Sequence, residues 1–221
     1  MEIGITHRDI AVEAAAGFEA ATYGGGLSVM LCSMYTWVIG IDEVGRGPIA
    51  GPIAVGVVAL PFSQNEWRYW EGLRDSKKLS ERQREVWYSR IQKESLRHAV
   101  AQVSAAVIDE KGITYAARLA VKRAIERLEL SPQEAQVILD KNLQAPVAWE
   151  QEEFVKGDER FPAIALASIA AKVTRDRYMC RMHARHPQYG FNQHKGYGTK
   201  LHYEALRTYG SAEIHRKSFL G

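Results

Sequence analysis

Asp42 and Glu43 are adjacent carboxylates at the end of the apolar run Val38-Ile39-Gly40-Ile41, and Val44-Gly45-Arg46-Gly47-Pro48 follows them directly. Carboxylates in such a place can hold a divalent cation. A glycine-flanked arginine lets the backbone approach a phosphate and offer it N–H donors. On a regular strand the two carboxylates would project to opposite faces. They line one site if the strand breaks there, and Gly45, Gly47 and Pro48 supply a break. An Asp-Glu pair alone is more often a polar strand end entering a turn; the Gly-Arg-Gly-Pro context brings the two readings level.

Two further carboxylates extend the set. Asp140 closes a second apolar run, Gln136 to Asp140, and Asp176 lies four residues after Lys172 and eight after Ser168, so those three share one helix face. Carboxylates gathered at one sheet edge repel each other unless cations neutralise them, and an all-oxygen ligand set selects Mg²⁺ or Mn²⁺ over zinc. Two such ions ~3.5 to 4 Å apart are suited to hydrolysing a phosphodiester. Ser168 reads as a packed small residue rather than a nucleophile, because no base is identifiable beside it. Asp109, Glu110 and Asp158 read as capping or loop residues.

The elements that would position these groups alternate between strand and helix. Tyr35 to Ile41 and Ile53 to Leu60 read as strands, Ala99 to Val107 as a third, Gln136 to Asp140 as a fourth and Phe154-Val155 as a short fifth. Ser80 and Gln83 match a capping box for a helix running to about Glu94. Apolar residues from Ile113 to Leu128 recur at helical spacing, Ala163 to about Ala184 forms a long helix after the loop Lys156-Gly157-Asp158, and Thr199 caps a last helix ending before Gly210. The pattern predicts an α/β domain with a partly parallel sheet, whose strand C-terminal ends are the usual place for chemistry.

The 221 residues, 46% of them hydrophobic, can bury a full core. No apolar run approaches the ~18 to 20 residues of a membrane span. Residues 1–34 form a leader rich in Ala and Gly without the basic start of a signal peptide, and cytoplasmic residence is the default expectation. Cys32 and Cys180 make neither a disulfide framework nor a zinc site. Net charge is only +3, but Lys172 to Lys217 holds ten Lys or Arg against three acids, with five histidines and several tyrosines among them. That mixture suits a polyanion offering sugar and base faces, although a solvated helix face with ordinary core aromatics explains it equally well. Lys77 and Lys78 are either phosphate contacts or an exposed basic loop. His183 and His186 read as solvated.

Six segments in order resemble the motifs of the ribonuclease HII family: Ile41-Asp42-Glu43-Val44-Gly45-Arg46-Gly47-Pro48, Asp75-Ser76-Lys77-Lys78-Leu79, Val155-Lys156-Gly157-Asp158, Ala167 to Arg177, His194-Lys195-Gly196-Tyr197-Gly198-Thr199, and His215-Arg216-Lys217-Ser218-Phe219. The likeness spans about Tyr35 to Phe219. It implies a ribonuclease H-like fold in residues 35–221, with a central five-stranded mixed sheet flanked by helices, acting as a monomer without membrane association. The implied activity is cleavage of the RNA strand of RNA/DNA hybrids, and cutting 5′ of ribonucleotides embedded in duplex DNA, with a role in removing them from DNA. By the same resemblance Asp42, Glu43, Asp140 and Asp176 are the catalytic residues and ligands of two divalent ions, Mn²⁺ or Mg²⁺. Gly45, Arg46 and Gly47 then grip the junction nucleotide, Tyr197 stacks on the deoxyribose after it, and Lys77 and Lys78 join the substrate-binding set. His194 and His215, inside motifs, are candidates for positioning the nucleic acid. One departure is Lys141-Asn142 after Asp140, where the family usually has glycine; a lysine there could weaken the metal site. The alternatives are a ribonuclease HIII, which has lysine in place of Arg46 and a larger amino-terminal domain, and a non-cleaving hybrid-binding protein.

Overall fold

The computed structural model describes residues 35–73 and 78–220. The leader, residues 1–34, and Asp75, Ser76 and Lys77 lie outside the described residues. Five strands make one mixed sheet: β1 Trp37–Val44, β2 Ile53–Pro61, β3 Arg97–Val103, β4 Ala135–Asp140 and β5 Gln151–Phe154. Their order is β3-β2-β1-β4-β5; β2 is antiparallel to β1 and β3, while β4 runs parallel to β1 and β5. The helices are α1 Glu81–Lys93, α2 Ala105–Lys111, α3 Ile113–Glu126, α4 Gly157–Arg160, α5 Pro162–Arg185, α6 Phe191–His194 and α7 Lys200–Tyr209.

Each sheet face is covered for a legible reason. Ala116, Ala117, Ala120, Val121, Ala124 and Ile125 put a continuous apolar stripe of α3 against Ile39, Ile41, Val55, Val57, Val137 and Leu139. The other face carries α5, which approaches the sheet at two glycines. A Cβ on Gly40 would lie 2.1 Å from the Ala163 carbonyl carbon, and one on Gly56 would lie 2.2 Å from the Ala167 carbonyl oxygen. The small residues of the first half of α5 therefore seat its backbone almost on the strands. A second, smaller core of Ala50, Met179, Met182, Tyr189, Phe191, Ala205 and Ile214 fastens the C-terminal segments to α5.

Several element expectations need correction. β1 does not break at Asp42; it runs to Val44, pairing Asp42 with Gly56 and Glu43 with Val55. β3 ends at Val103, and the apolar residues 105–107 begin α2 after the extended Ser104. A short apolar run does not by its periodicity distinguish strand from buried helix. The fifth strand is the polar Gln151–Phe154, leaving Val155 exposed, and Lys156-Gly157-Asp158 enters the one-turn α4 instead of forming a loop. The expected capping box is present: the Ser80 hydroxyl accepts from Gln83 N, and the Gln83 side chain accepts from Ser80 N. Thr199 likewise caps α7 by accepting from His202 N.

Candidate active site

The parallel register of β1 and β4 brings the first two carboxylates together. Pairing runs from Trp37 with Ala135 to Ile41 with Leu139, so Asp42 and Asp140 are the next residues on each strand, on neighbouring chains about 4.8 Å apart. Alternation directs Asp42 to the α5 side, where the Ser168 hydroxyl donates to it. Its Oδ1 also accepts the Glu43 N–H at 2.7 Å. Asp140 Oδ1 accepts the Gly157 N–H at 2.9 Å, which accounts for the small residue at the start of α4. A Cβ on Gly157 would stand 2.6 Å from the Ile164 Cδ1.

Asp42 is buried, 4% exposed, and its pKa is raised to about 8. Burial is the main cause; the Ser168 hydrogen bond opposes it, and the charges of Glu43 and Asp140 add to it. Glu43, on the opposite face of β1, is also raised, by burial first, with Arg46 opposing and Asp140 adding. Its Oε1 accepts from Arg46 Nε at 2.9 Å, while its Oε2 is buried without a hydrogen-bond partner among the described residues. These three carboxylates thus act on one another at the sheet rim without a strand break.

Asp176 is engaged with a lysine of its own helix. It is two turns beyond Ser168 on α5, about 12 Å along the axis, and its Oδ1 accepts from Lys172 Nζ at 2.8 Å. Among the described residues, no three His, Cys, Asp or Glu side chains already form a group that could hold a metal ion. The reason is visible in the contacts, since Glu43 is turned to Arg46 and Asp176 to Lys172. The donor chemistry nevertheless fits a hard divalent cation: every candidate ligand is a carboxylate oxygen, one buried oxygen lacks a partner, and Asp42 is held in conditions that a nearby positive charge would relieve.

Beside this rim lies the glycine-arginine-glycine turn. Gly45 has φ +96°, and a Cβ there would collide with Arg175 Nε at 2.3 Å. Arg46 is engaged through its side chain with Glu43 and the Asn142 carbonyl. Two fully buried arginines hold the turn from beneath. Arg216 donates to the carbonyls of Gly45, Arg46 and Gly51, and Arg175 to those of Ala50, Pro52 and Lys195. Burial lowers both guanidinium pKa values, that of Arg216 to about 9 with the Arg175 charge contributing. The Gly196 carbonyl accepts from Ile49 N and Ala50 N, so the half-exposed Tyr197 is fastened next to the turn.

The basic C-terminal segment is therefore only partly a polyanion surface. Arg175, Arg216, His202 and His215 are buried, and Arg177 pairs with Glu85. The two buried arginines are the functional residues that sequence reasoning missed as such; both lie within motifs, but their carbonyl partners in residues 45–52 are more than 120 residues away along the chain. Lys78 is exposed, and Lys77 lies outside the described residues. Lys141 is exposed too, and what holds Asp140 is the backbone of Gly157. Asp109 lies inside α2 rather than at a cap or in a loop, and it accepts from Lys217 N and Ser218 N more than 100 residues away.

Comparison with known proteins gives a consistent result. Residues 39–220 match the ribonuclease HII family. A ribonuclease HII of Caldicellulosiruptor bescii is 45% identical over 187 residues, covering 84% of this chain and 87% of its own. The ribonuclease HII of Archaeoglobus fulgidus, solved in a complex with PCNA, is 28% identical with a TM-score of 0.68, covering 81% of this chain and 93% of that one. A Bst ribonuclease HIII, solved in complex with Mn²⁺, has the same TM-score at 19% identity, covering 98% of this chain and 79% of that one, and shows likeness of fold alone.

Proposed function

The chain belongs to the ribonuclease HII family and is an endonuclease of the ribonuclease H type, and we propose that it cuts 5′ of ribonucleotides, in hybrids and singly embedded in duplex DNA, leaving 3′-hydroxyl and 5′-phosphate ends. In this reading Asp42, Glu43, Asp140 and Asp176 hold two divalent ions, Mn²⁺ or Mg²⁺. When bound, the ions supply Lewis acidity that activates water and offsets charge on the scissile phosphate. Asp42 and Asp140 would hold the ions from adjacent strand ends. Glu43 and Asp176 complete the set by turning from Arg46 and Lys172.

Recognition falls to the neighbouring turn. With the Arg46 side chain held by the Asn142 carbonyl, the backbone of Gly45, Arg46 and Gly47 reads a 2′-hydroxyl, the group that distinguishes RNA from DNA. Tyr197 stacks on the deoxyribose that follows the junction, and Lys77 and Lys78 contact backbone phosphates. A cytoplasmic monomer working in ribonucleotide removal from DNA belongs to the same proposal. No helix among the described residues is long and apolar enough to cross a membrane.

The observation that carries the reading is the side-by-side placement of Asp42 and Asp140 at the end of the parallel pair, with Asp42 buried. Its test is cleavage of end-labelled hybrid by Asp42→Asn and Asp140→Asn. Each is expected to lose turnover by roughly two orders of magnitude or more while hybrid binding stays, since affinity rests mainly on phosphate contacts. Near-normal cleavage at saturating metal would refute the role.

A further inference from the structure

The turn carrying Tyr197 rests on three histidines whose ring nitrogens are all engaged. His202 Nδ1 lies 2.9 Å from the Tyr197 carbonyl, and its Nε2 lies 3.0 Å from His215 Nε2. His215 Nδ1 is 2.9 Å from Ala212 N and 3.2 Å from Ala212 O. His194 Nε2 is 2.7 Å from the Tyr189 carbonyl, and its Nδ1 accepts from Gly196 N at 3.2 Å. The rings of His194 and His202 are stacked, 4.3 Å apart.

These contacts determine where the protons are. A carbonyl only accepts, so His202 must carry its proton on Nδ1 and His194 on Nε2. The His202 Nε2 lone pair then accepts from His215 Nε2–H, which leaves His215 Nδ1 to accept from Ala212 N–H. One neutral tautomer at each ring satisfies every contact except the longer approach of His215 Nδ1 to the Ala212 carbonyl. A second proton on His194 or His202 sets hydrogen against hydrogen. The facing titratable groups, His183 and His186 from α5 and the residue after it and Lys195 from the turn itself, all disfavour added positive charge. Burial, the main cause, holds His202 down to about 4 and lowers His194 and His215.

We propose that His194, His202 and His215 form a positioning unit that fixes the backbone of Gly196 and Tyr197, and thereby sets the enzyme's preference for a ribonucleotide followed by DNA. The proposal rests on the reading of Tyr197 as the junction contact. The Tyr197 carbonyl and the Gly196 N–H are the two backbone groups that the histidines grip, and the Gly196 carbonyl carries the grip on to Ile49 and Ala50, just after the Gly-Arg-Gly turn. Neutral rings locked in single tautomers are stiff partners, so loss of one frees the turn without touching the carboxylates.

The test compares cleavage of duplex DNA holding one ribonucleotide with cleavage of a long hybrid, for the wild type, His202→Ala, His202→Asn, Tyr197→Ala and the double variant His202→Ala with Tyr197→Ala. His202→Ala is expected to lose about tenfold on the single ribonucleotide and less than about twofold on the hybrid. His202→Asn, whose amide N–H replaces Nδ1–H, regains most of the loss, and the double variant is no more selective in its loss than Tyr197→Ala alone. If Tyr197→Ala loses the preference and His202→Ala keeps it, the positioning role is overturned and the Tyr197 reading stands. If Tyr197→Ala loses equally on both substrates, the reading falls and the proposal with it. Should His202→Ala not fold, imidazole ¹⁵N shifts of the wild-type protein decide. Nδ1 protonation at His202 with Nε2 protonation at His194 and His215 supports the unit, and Nε2 protonation at His202 overturns it.

Discussion

Replacing Gly56 with alanine tests whether the close seat of α5 on the sheet is what assembles the carboxylates. Gly56 lies opposite Asp42 on β2, and its added methyl would stand 2.2 Å from the Ala167 carbonyl oxygen and 3.1 Å from Ala171 N. Both obstacles are helix backbone, which no rotamer change removes. Restoring an ordinary 3.4 Å contact requires α5 to withdraw by about 1.2 Å at Ala167. The next residue is Ser168, the hydrogen-bond partner of Asp42, and Lys172 and Asp176 follow on the same face. Overpacking of this kind destabilises by about 1 to 3 kcal/mol. A shift near 1 Å in groups that place a reacting centre costs on the order of 100-fold in rate. Urea unfolding reads the first effect, and hybrid cleavage at saturating Mn²⁺ reads the second. Gly47→Ala, whose methyl would meet nothing within 4 Å, is the matched control for stability. A Gly56→Ala protein with the wild-type unfolding midpoint and cleavage within about threefold would show that α5 placement does not limit the site.

Three further outcomes are expected. Lys172→Met removes the cation paired with Asp176, so the Mn²⁺ concentration giving half-maximal thermal stabilisation falls by roughly threefold or more; an unchanged or higher requirement refutes competition by the lysine. Lys141→Gly restores the family's usual residue after Asp140, yet with Lys141 exposed and Asp140 held by Gly157, cleavage changes by less than about threefold; a large gain would place the lysine charge at the metal site. His202 titrates near 4 in the fold against 6.5 when free. The unfolded chain therefore takes up the proton first, and stability present above pH 6.5 is lost as pH falls toward 4, by about 1 to 2 kcal/mol after allowing for screening. Urea midpoints measured from pH 7 to pH 4.5 should show this decline for the wild type and a shallower one for His202→Asn.

What could be read from the sequence divides by the range of the interaction responsible. The capping box at Ser80 and Gln83, the stripe from Ile113 to Ile125 and the cap at Thr199 are decided within one or two helical turns, and all three are present. The meeting of Asp42 with Asp140 was also legible, because each closes an apolar run and parallel pairing aligns such ends. The supposed break at Asp42 failed because the tolerance of β1 for a rim carboxylate is set by Gly56 across the ladder and by α5 above it. The 103–105 boundary failed because Ala, Val and Ile serve strand and buried helix alike.

Buried polar residues were the hardest to read, and the reason is physical. Arg175 and Arg216 appear in the chain as two more positive charges in a basic segment, yet each is sealed in the fold by carbonyls of residues 45 to 52 and, for Arg175, Lys195. A turn with positive φ at Gly45 and Gly51 points its carbonyls inward, and buried carbonyls require donors. Guanidinium groups supply several donors in a fixed fork, so one side chain satisfies three carbonyls at once. A glycine-rich turn that presents its backbone to a substrate thus creates a demand for buried arginine behind it. That demand is met from residues more than 120 positions away, where neither periodicity nor charge count marks them.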